Sequence, residues 1–449
     1  MKKMMPTELP PSVRAGIFGG HFIKFRRDPT GFLRRLAKLG DVTFFKLGGY
    51  PAYLLNHPDL ARDLLTTSQA KFIKGRALQR AKRLLGEGLL TSEGEAHLRQ
   101  RRMIQPAFHR ARIAEYADAM TEYAEKMADI WQNGEIRDID KEMMRLTLQI
   151  VGKTLFSANV DDETDEVGEA MTELIEMFNY LVIPFAEFLE KLPIPQTRKF
   201  NRSRETLDRV IYRIIDERRA SGEDKGDLLS MLLMAQDEED GSGMTDEQVR
   251  DEALTLFLAG HETTANAMTF TWYLLSQNPE KEALLHEELE RVLGGRTPSM
   301  KDVPELKYAE AVFAEAMRLY PPAWAIGRLS IEKHEFGGFP IPKDALVLIS
   351  PFVIQRDERF WEKPEEFIPE RWFEQSIREA GQKFIYFPFS RGVRSCIGES
   401  FAWMEGVLLI ATIAQKWKLR LTPRQKIGLN PLMTLRPKYG MKMRLEKRG

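Results

Sequence analysis

Cys396 is the only thiol in the chain, and its neighbours are of the types that could put a sulfur to work. It lies in Phe389-Ser-Arg-Gly-Val-Arg-Ser-Cys-Ile-Gly398. With no second cysteine, an intrachain disulfide is impossible and any four-thiolate metal or iron–sulfur site is excluded. Gly392 and Gly398 allow backbone to approach a bulky group closely. Arg391 and Arg394 favour thiolate over thiol. After Gly398 the residues Glu399 to Ala414 turn helical, and a helix N-terminus adds its dipole to the stabilisation of an anionic sulfur. These surroundings suit a thiolate acting as the single axial ligand of a large flat cofactor. From this stretch alone, the competing reading is a buried, inert cysteine.

Three further groups of residues carry possible chemistry. Ala259-Gly-His-Glu-Thr-Thr264 interrupts a long helical pattern over Gln248–Trp272. Glycine and paired threonines weaken a helix, and threonine hydroxyls can bond back and bend it. An acid beside an alcohol could deliver protons, Thr263 holding a bound oxidant and its water while Glu262 relays; a structural kink is the alternative. Glu315 and Arg318 lie three apart and share a helix face. Their apolar neighbours Val312, Phe313 and Met317 point to a buried pair of structural role rather than a surface pair of little value. His97 and Arg101, four apart, could clamp a carboxylate, or belong to a solvated basic helix.

Phe389, Gly392, Arg394, Cys396 and Gly398 fill the pattern F-x-x-G-x-R-x-C-x-G, so the loop resembles the haem-binding loop of the cytochrome P-450 family. The 259–264 stretch is similar to that family's A-G-x-[DE]-T-T oxygen-activation motif at every fixed position. Glu315-Ala-Met-Arg318 resembles its E-x-x-R motif, and Pro369-Glu-Arg-Trp372 its P-E-R-F segment, with Trp372 in place of Phe. Arg371 would then complete a Glu–Arg–Arg network supporting the cysteine loop. The 95–108 segment is similar to the family's C-helix, with His97 where Trp is common. The resemblance implies haem b (iron protoporphyrin IX) with Cys396 as the axial metal ligand. His97, Arg101, Arg328 and Arg394 would bind propionates, and Phe389, Gly392, Gly398 and Ala259 would lie against the cofactor. Glu262 and Thr263 would be catalytic.

The implied fold is mainly α with a small β region, a triangular haem-enclosing domain, and the whole of 1–449 is expected to be one catalytic domain. The implied reaction is monooxygenation of a small hydrophobic substrate (fatty acid, terpenoid or steroid-like) with O2. The chain has no G-x-G-x-x-G ahead of a helix and no flavin or iron–sulfur signature. Electrons must therefore come from a separate ferredoxin or flavodoxin with its NAD(P)H reductase. Arg99, Arg102, Arg110 and Arg112 form either a docking face for such an acidic donor or a plain solvated surface. A peroxide-driven haem-thiolate enzyme and a non-enzymatic haem sensor are the rival readings.

The elements that must position these residues are mostly helical. Val42–Leu47 and Ala52–Asn56 around Gly48-Gly49 read as a hairpin. Apolar residues at three- and four-residue spacing predict helices over 113–131, 141–156, 167–189 and 201–219. Ala345–Ser350 and Met441–Leu445 read as strands. Segment 179–189 is the most apolar surface candidate, either packed on the core or lining an entrance or a membrane contact. Lys+Arg and Asp+Glu balance at 66 each, giving no argument for nucleic acid. The 43% apolar residues are enough for a large core. Prolines interrupt the N-terminal residues before any apolar run forms, so neither signal peptide nor transmembrane anchor is expected, and a cytoplasmic monomer is.

Overall fold

The structure, a computed structural model, describes residues 9–16, 20–157, 164–181, 195–236 and 241–448. Among these, helices of nine or more residues are α1 (Pro29–Ala37), α2 (Arg76–Leu85), α3 (Gly94–Ile104), α4 (Arg110–Ile130), α5 (Ile139–Phe156), α6 (Thr164–Leu181), α7 (Pro195–Ser221), α8 (Asp246–Gln277), α9 (Pro279–Leu293), α10 (Lys307–Leu319) and α11 (Glu399–Lys416). Strands are β1 (Val42–Leu47), β2 (Tyr50–Leu55), β3 (Phe72–Lys74), β4 (Ile136–Asp138), β5 (Ile326–Ser330), β6 (His334–Phe336), β7 (Phe339–Ile341), β8 (Leu346–Ile349), β9 (Trp417–Leu421), β10 (Leu429–Pro431), β11 (Leu435–Pro437) and β12 (Lys442–Lys447). The mainly α class with a small β portion is as expected from the sequence. Past Leu181, the apolar segment 179–189 lies outside the described residues. Among the described residues no helix is long and apolar enough to cross a membrane.

The chain forms two compact units. The first, residues 1–80, 318–366 and 374–396, is built on a mixed sheet of order β1-β2-β8-β5-β3. The expected hairpin pairs Val42 with Leu55 through Leu47 with Tyr50. Gly48 turns it at φ +63°, a region that glycine enters without steric cost. β8 then runs parallel to β2, and β5 antiparallel to β8. Tyr53, Leu55, Phe72, Val347, Ile349 and Phe387 pack together as its core.

The second unit, residues 81–317, 367–373 and 397–449, is centred on α8. The Gln248–Trp272 pattern is part of a longer helix because a capping box precedes it: Gln248 N–H donates to Thr245 Oγ1 (3.2 Å), and Thr245 N–H to Gln248 Oε1 (2.9 Å). The expected interruption at 259–264 is absent. The helix runs unbroken, with Thr263 Oγ1 donating back to the Ala259 carbonyl at 2.7 Å. Gly260 serves packing instead, since a Cβ there would stand 3.0 Å from Val151 Cγ2 of α5. Thr147 of α5 donates to the His261 carbonyl at 2.9 Å, tying the two helices together. β12 alternates inward Met443 and Leu445 with outward Lys442, Arg444 and Glu446 between β4 and β9. The β10–β11 hairpin belongs to the same unit.

Candidate active site

In the first unit the cysteine loop is held by its own backbone. Cys396 N–H donates to the Phe389 carbonyl (2.9 Å), and Ser395 N–H to that of Gly392 (3.0 Å). Ser390 and Gly392 take φ of +60° and +80°. At Gly392 only glycine fits, because a Cβ would fall 2.1 Å from the Leu65 carbonyl oxygen. Cys396 is exposed, presented at the end of this tight loop. Arg391 lays its guanidinium over Gly381, where a Cβ would meet Nη2 at 2.0 Å. Arg328 stands on β5, 8% exposed, directly across from the buried Lys74 of β3. Two cations at such a place suit an acidic group between them. Lys74 was not singled out from the sequence, where a lysine in a three-residue strand carries no signal.

The E-x-x-R arginine of this unit, Arg318, is fully buried and donates to three carbonyls: Gln355 (2.8 Å), Pro364 (2.7 Å) and Glu366 (3.0 Å). Glu315, in the second unit, is equally buried. Its Oε1 accepts from Arg371 Nε (3.0 Å) and the Ile368 amide (3.1 Å), and its Oε2 from Trp372 Nε1 (3.0 Å). The structural role expected of both residues fits these contacts. Trp372 is more than a conservative aromatic change, however, since its indole adds a donor that phenylalanine lacks.

In the second unit α3 carries His97 and Arg101 one turn apart. His97 is buried, with Nδ1 3.2 Å from the Leu89 carbonyl. A carbonyl only accepts, so Nδ1 carries the hydrogen. On α8, Val249 to Leu258 are buried all round, as are Thr264 to Trp272. Ala259, Gly260 and Thr263 are open, and Thr263, four residues from Ala259 and three from Gly260, stands one turn along the helix from both. Small residues at the one opening of a buried helix fit a flat group laid against it.

Glu262, next in sequence to Thr263, points elsewhere, because adjacent helical residues diverge by about 100°. Its carboxylate is fully buried. Oε1 accepts from Thr434 Oγ1 at 2.5 Å and lies 3.1 Å from Arg436 Nε, both on the C-terminal hairpin. Asn266 donates to Thr434 Oγ1 at 3.2 Å. Burial raises the Glu262 pKa, against the opposing pull of Arg436 and Thr434. His261 is pushed down to about 3 by burial and by Arg436, and is neutral. Asp140, in the first turn of α5, is pushed up to about 7, again chiefly by burial. Glu405 of α11, beside Thr264, is pushed up to about 8 by burial. Thr434, Arg436, Asp140 and Glu405 were all missed from the sequence. An acid in the first turn of a helix reads as a dipole partner, and nothing local ties residue 434 to residue 262.

Of the basic residues near α3, Arg99 donates to Ser242 and Arg112 to Glu115, while Arg102 is exposed.

The cytochrome P-450 family model matches residues 10–443, and the chain belongs to that family. It is accordingly a haem-dependent monooxygenase, an oxidoreductase that uses O2 and a redox partner. Cyclooctatin synthase of Streptomyces melanosporofaciens is 40% identical over 93% of this chain and 91% of that protein. Cyclooctat-9-en-7-ol 5-monooxygenase of the same organism is 37% identical, over 90% and 88% respectively. Pentalenene oxygenase of Streptomyces avermitilis is 32% identical, over 96% and 95%.

Proposed function

We propose that this chain, working as a single catalytic domain, oxygenates a cyclic terpenoid, with Cys396 as the axial ligand of its haem. The observation that carries the ligand assignment is the exposed thiol of the only cysteine, on a loop whose glycine admits no side chain. The substrate class rests on the relatives, whose names describe action on terpenoids. Leu78, Leu89, Leu256, Ala259, Ala323, Ala325 and Met433, the pocket positions suggested by resemblance, are all apolar and agree with it.

When bound, the haem supplies O2 activation and oxygen insertion. The chain's own residues do the rest. His97, Arg101, Arg328 and Arg394 would hold the propionates of a bound haem by charge-assisted hydrogen bonds. Phe389, Gly392, Gly398 and Ala259 would lie against the macrocycle. Glu262, whose raised pKa lets it keep a proton nearer neutral pH than an ordinary carboxyl, delivers that proton toward the Thr263 hydroxyl. The Thr263–Ala259 hydrogen bond holds this hydroxyl on the open face of α8. The donor is a separate ferredoxin or flavodoxin, with exposed Arg102 on its docking face, and the protein acts as a cytoplasmic monomer.

Two experiments test this. Cys396→Ser should abolish the red-shifted absorption of the reduced carbon monoxide complex; an unchanged spectrum overturns the ligand assignment. Cyclic terpenes, fatty acids and steroids should be compared for spectral displacement of haem-bound water, then for oxidation with a reductase pair and NAD(P)H or with peroxide alone. Binding confined to the fatty acids would overturn the substrate class, and turnover confined to peroxide would overturn the monooxygenase route.

A further inference from the structure

Gly86-Glu-Gly88, short of the third glycine a nucleotide fingerprint would need, is bound to α8 in the second unit. Three consecutive residues of that helix grip the main chain around it. Arg250 Nη1 donates to the Leu84 carbonyl (3.2 Å). Asp251 Oδ2 accepts from the Glu87 amide (2.8 Å), and Glu252 Oε2 from the Leu89 amide (2.9 Å). Both glycines are required at these distances. A Cβ at Gly86, which takes φ +62°, would fall 1.9 Å from Asp251 Oδ2. One at Gly88 would fall 2.3 Å from Thr255 Oγ1 and 2.7 Å from the Asp251 carbonyl oxygen.

The same peptide units are held from α3. Gln100 Nε2 donates to the Glu87 carbonyl (2.5 Å), and His97 Nδ1 to that of Leu89 (3.2 Å). Thr91 Oγ1 closes the turn by donating to the Gly86 carbonyl (2.6 Å). Residues 86–91 therefore bridge the helix that carries His97 and Arg101 to the helix that carries Thr263. Glu252 is fully buried. A buried amide without an acceptor is costly, as is a buried carboxylate without a donor, so their bond holds the segment at one position. Glu252, Leu256, Ala259 and Thr263, at spacings of four, three and four, run along one face of α8. The first two are buried, and the face opens only at Ala259, about 10 Å along the axis from Glu252. A molecule laid on the open residues is bounded by the gripped segment on the N-terminal side.

We propose that Glu252 is a positioning residue for the oxygenation: it fixes residues 86–91 as the wall that bounds the substrate on the open face of α8, and so selects the substrate atom that lies by Thr263. The proposal rests on the reading of Ala259 and Thr263 as the face at which oxygen is delivered. Glu252 moves no proton and acts through the Leu89 peptide. Its part is that of an acceptor, which glutamine keeps in nearly the same place. Leucine, of similar size, removes it. Asp251 repeats the grip at Glu87, so the segment stays attached to α8 when the Leu89 bond is cut. The wall then shifts rather than unfolds.

The test uses the haem-loaded protein and two readouts that need no turnover. Deuterium exchange of the peptide covering residues 84–92 should quicken several-fold in Glu252→Leu and keep the wild-type rate in Glu252→Gln. Imidazole and 4-phenylimidazole bind haem iron and differ by one ring, so the ratio of their dissociation constants gauges the room beside the open face. That ratio should change several-fold in Glu252→Leu and return in Glu252→Gln, with the reduced carbon monoxide spectrum unchanged in both. With a cyclic sesquiterpene as substrate, Glu252→Leu should alter the ratio of oxygenated regioisomers and raise KM more than it lowers kcat. Gln100→Ala, which cuts the outer bond to Glu87, is the second variant if Glu252→Leu does not fold, and should move the same readouts. Exchange indifferent to the substitution overturns the grip. Faster exchange with an unchanged affinity ratio and unchanged regioisomers overturns the wall, and failure of Glu252→Gln to restore them overturns the acceptor role. Fully coupled turnover in Thr263→Ala overturns instead the reading of the open face. A wild type that oxygenates no cyclic terpene overturns the substrate class alone, because exchange and the imidazole ratio still decide the grip and the wall.

Discussion

At Trp372, one indole nitrogen turns a familiar aromatic position into part of a polar network. Glu315 is a fully buried carboxylate with an arginine, a backbone amide and this indole as donors. A buried charge is tolerated only when its lone pairs are met. Trp372→Phe retains the ring but removes a donor. It should cost about 1–3 kcal/mol in stability, the usual penalty for leaving a buried acceptor short. Urea unfolding at constant m-value measures it. A loss no larger than that of an exposed aromatic substitution would show the indole bond to be dispensable. The same scale holds the contrast between Thr263 and Glu262. These neighbours in sequence take their hydrogen bonds from opposite directions, one from its own helix and one from a hairpin 172 residues on.

At the scale of elements, close helix packing relies on glycine where a functional reading would look for flexibility. Gly260 lets α8 approach α5, with no kink. Gly406 of α11 is tighter still: a Cβ there would lie 2.4 Å from the Phe313 ring, which in turn stacks edge-on against Trp403. Gly406→Ala would gain up to about 1 kcal/mol of helix propensity. Overpacking of a rigid ring costs about 1–3 kcal/mol, so the net effect should be destabilising, read as a lower urea midpoint. A variant as stable as the wild type would mean that Phe313 can move aside.

For the whole molecule, buried ionisable groups set the pH dependence of stability. Asp140 and Glu405 have folded pKa values near 7 and 8, above their ordinary 3.8 and 4.5. Between those limits the folded protein keeps protons that the unfolded chain releases, so stability falls as pH rises. His261 and His286 are held near 3, below their ordinary 6.5, and oppose this trend on the acid side. Above pH 6.5 the histidines are neutral in both states and cease to contribute. Stability should therefore decline from there to about pH 8, by up to about 1.4 kcal/mol per pH unit for each titrating carboxyl. Glu405→Gln should flatten the decline. Denaturant unfolding of the haem-loaded protein across this range checks it, and an equally steep slope in the variant would refute the assignment.

Much of this was readable beforehand, and the readable part shares one property: it is local. The F-x-x-G-x-R-x-C-x-G loop, the turn at Gly48-Gly49, the helical periods of α4, α5 and α7 and the burial of Glu315 and Arg318 all follow from residues a few positions apart, where backbone geometry and apolar spacing act directly. Tertiary structure decided the rest. It alone placed Thr434 and Arg436 on Glu262 and laid Lys74 across from Arg328. Contacts between residues more than a hundred positions apart leave no period in the chain. Which of two adjacent side chains meets solvent and which meets an ion is known only once the helices have packed.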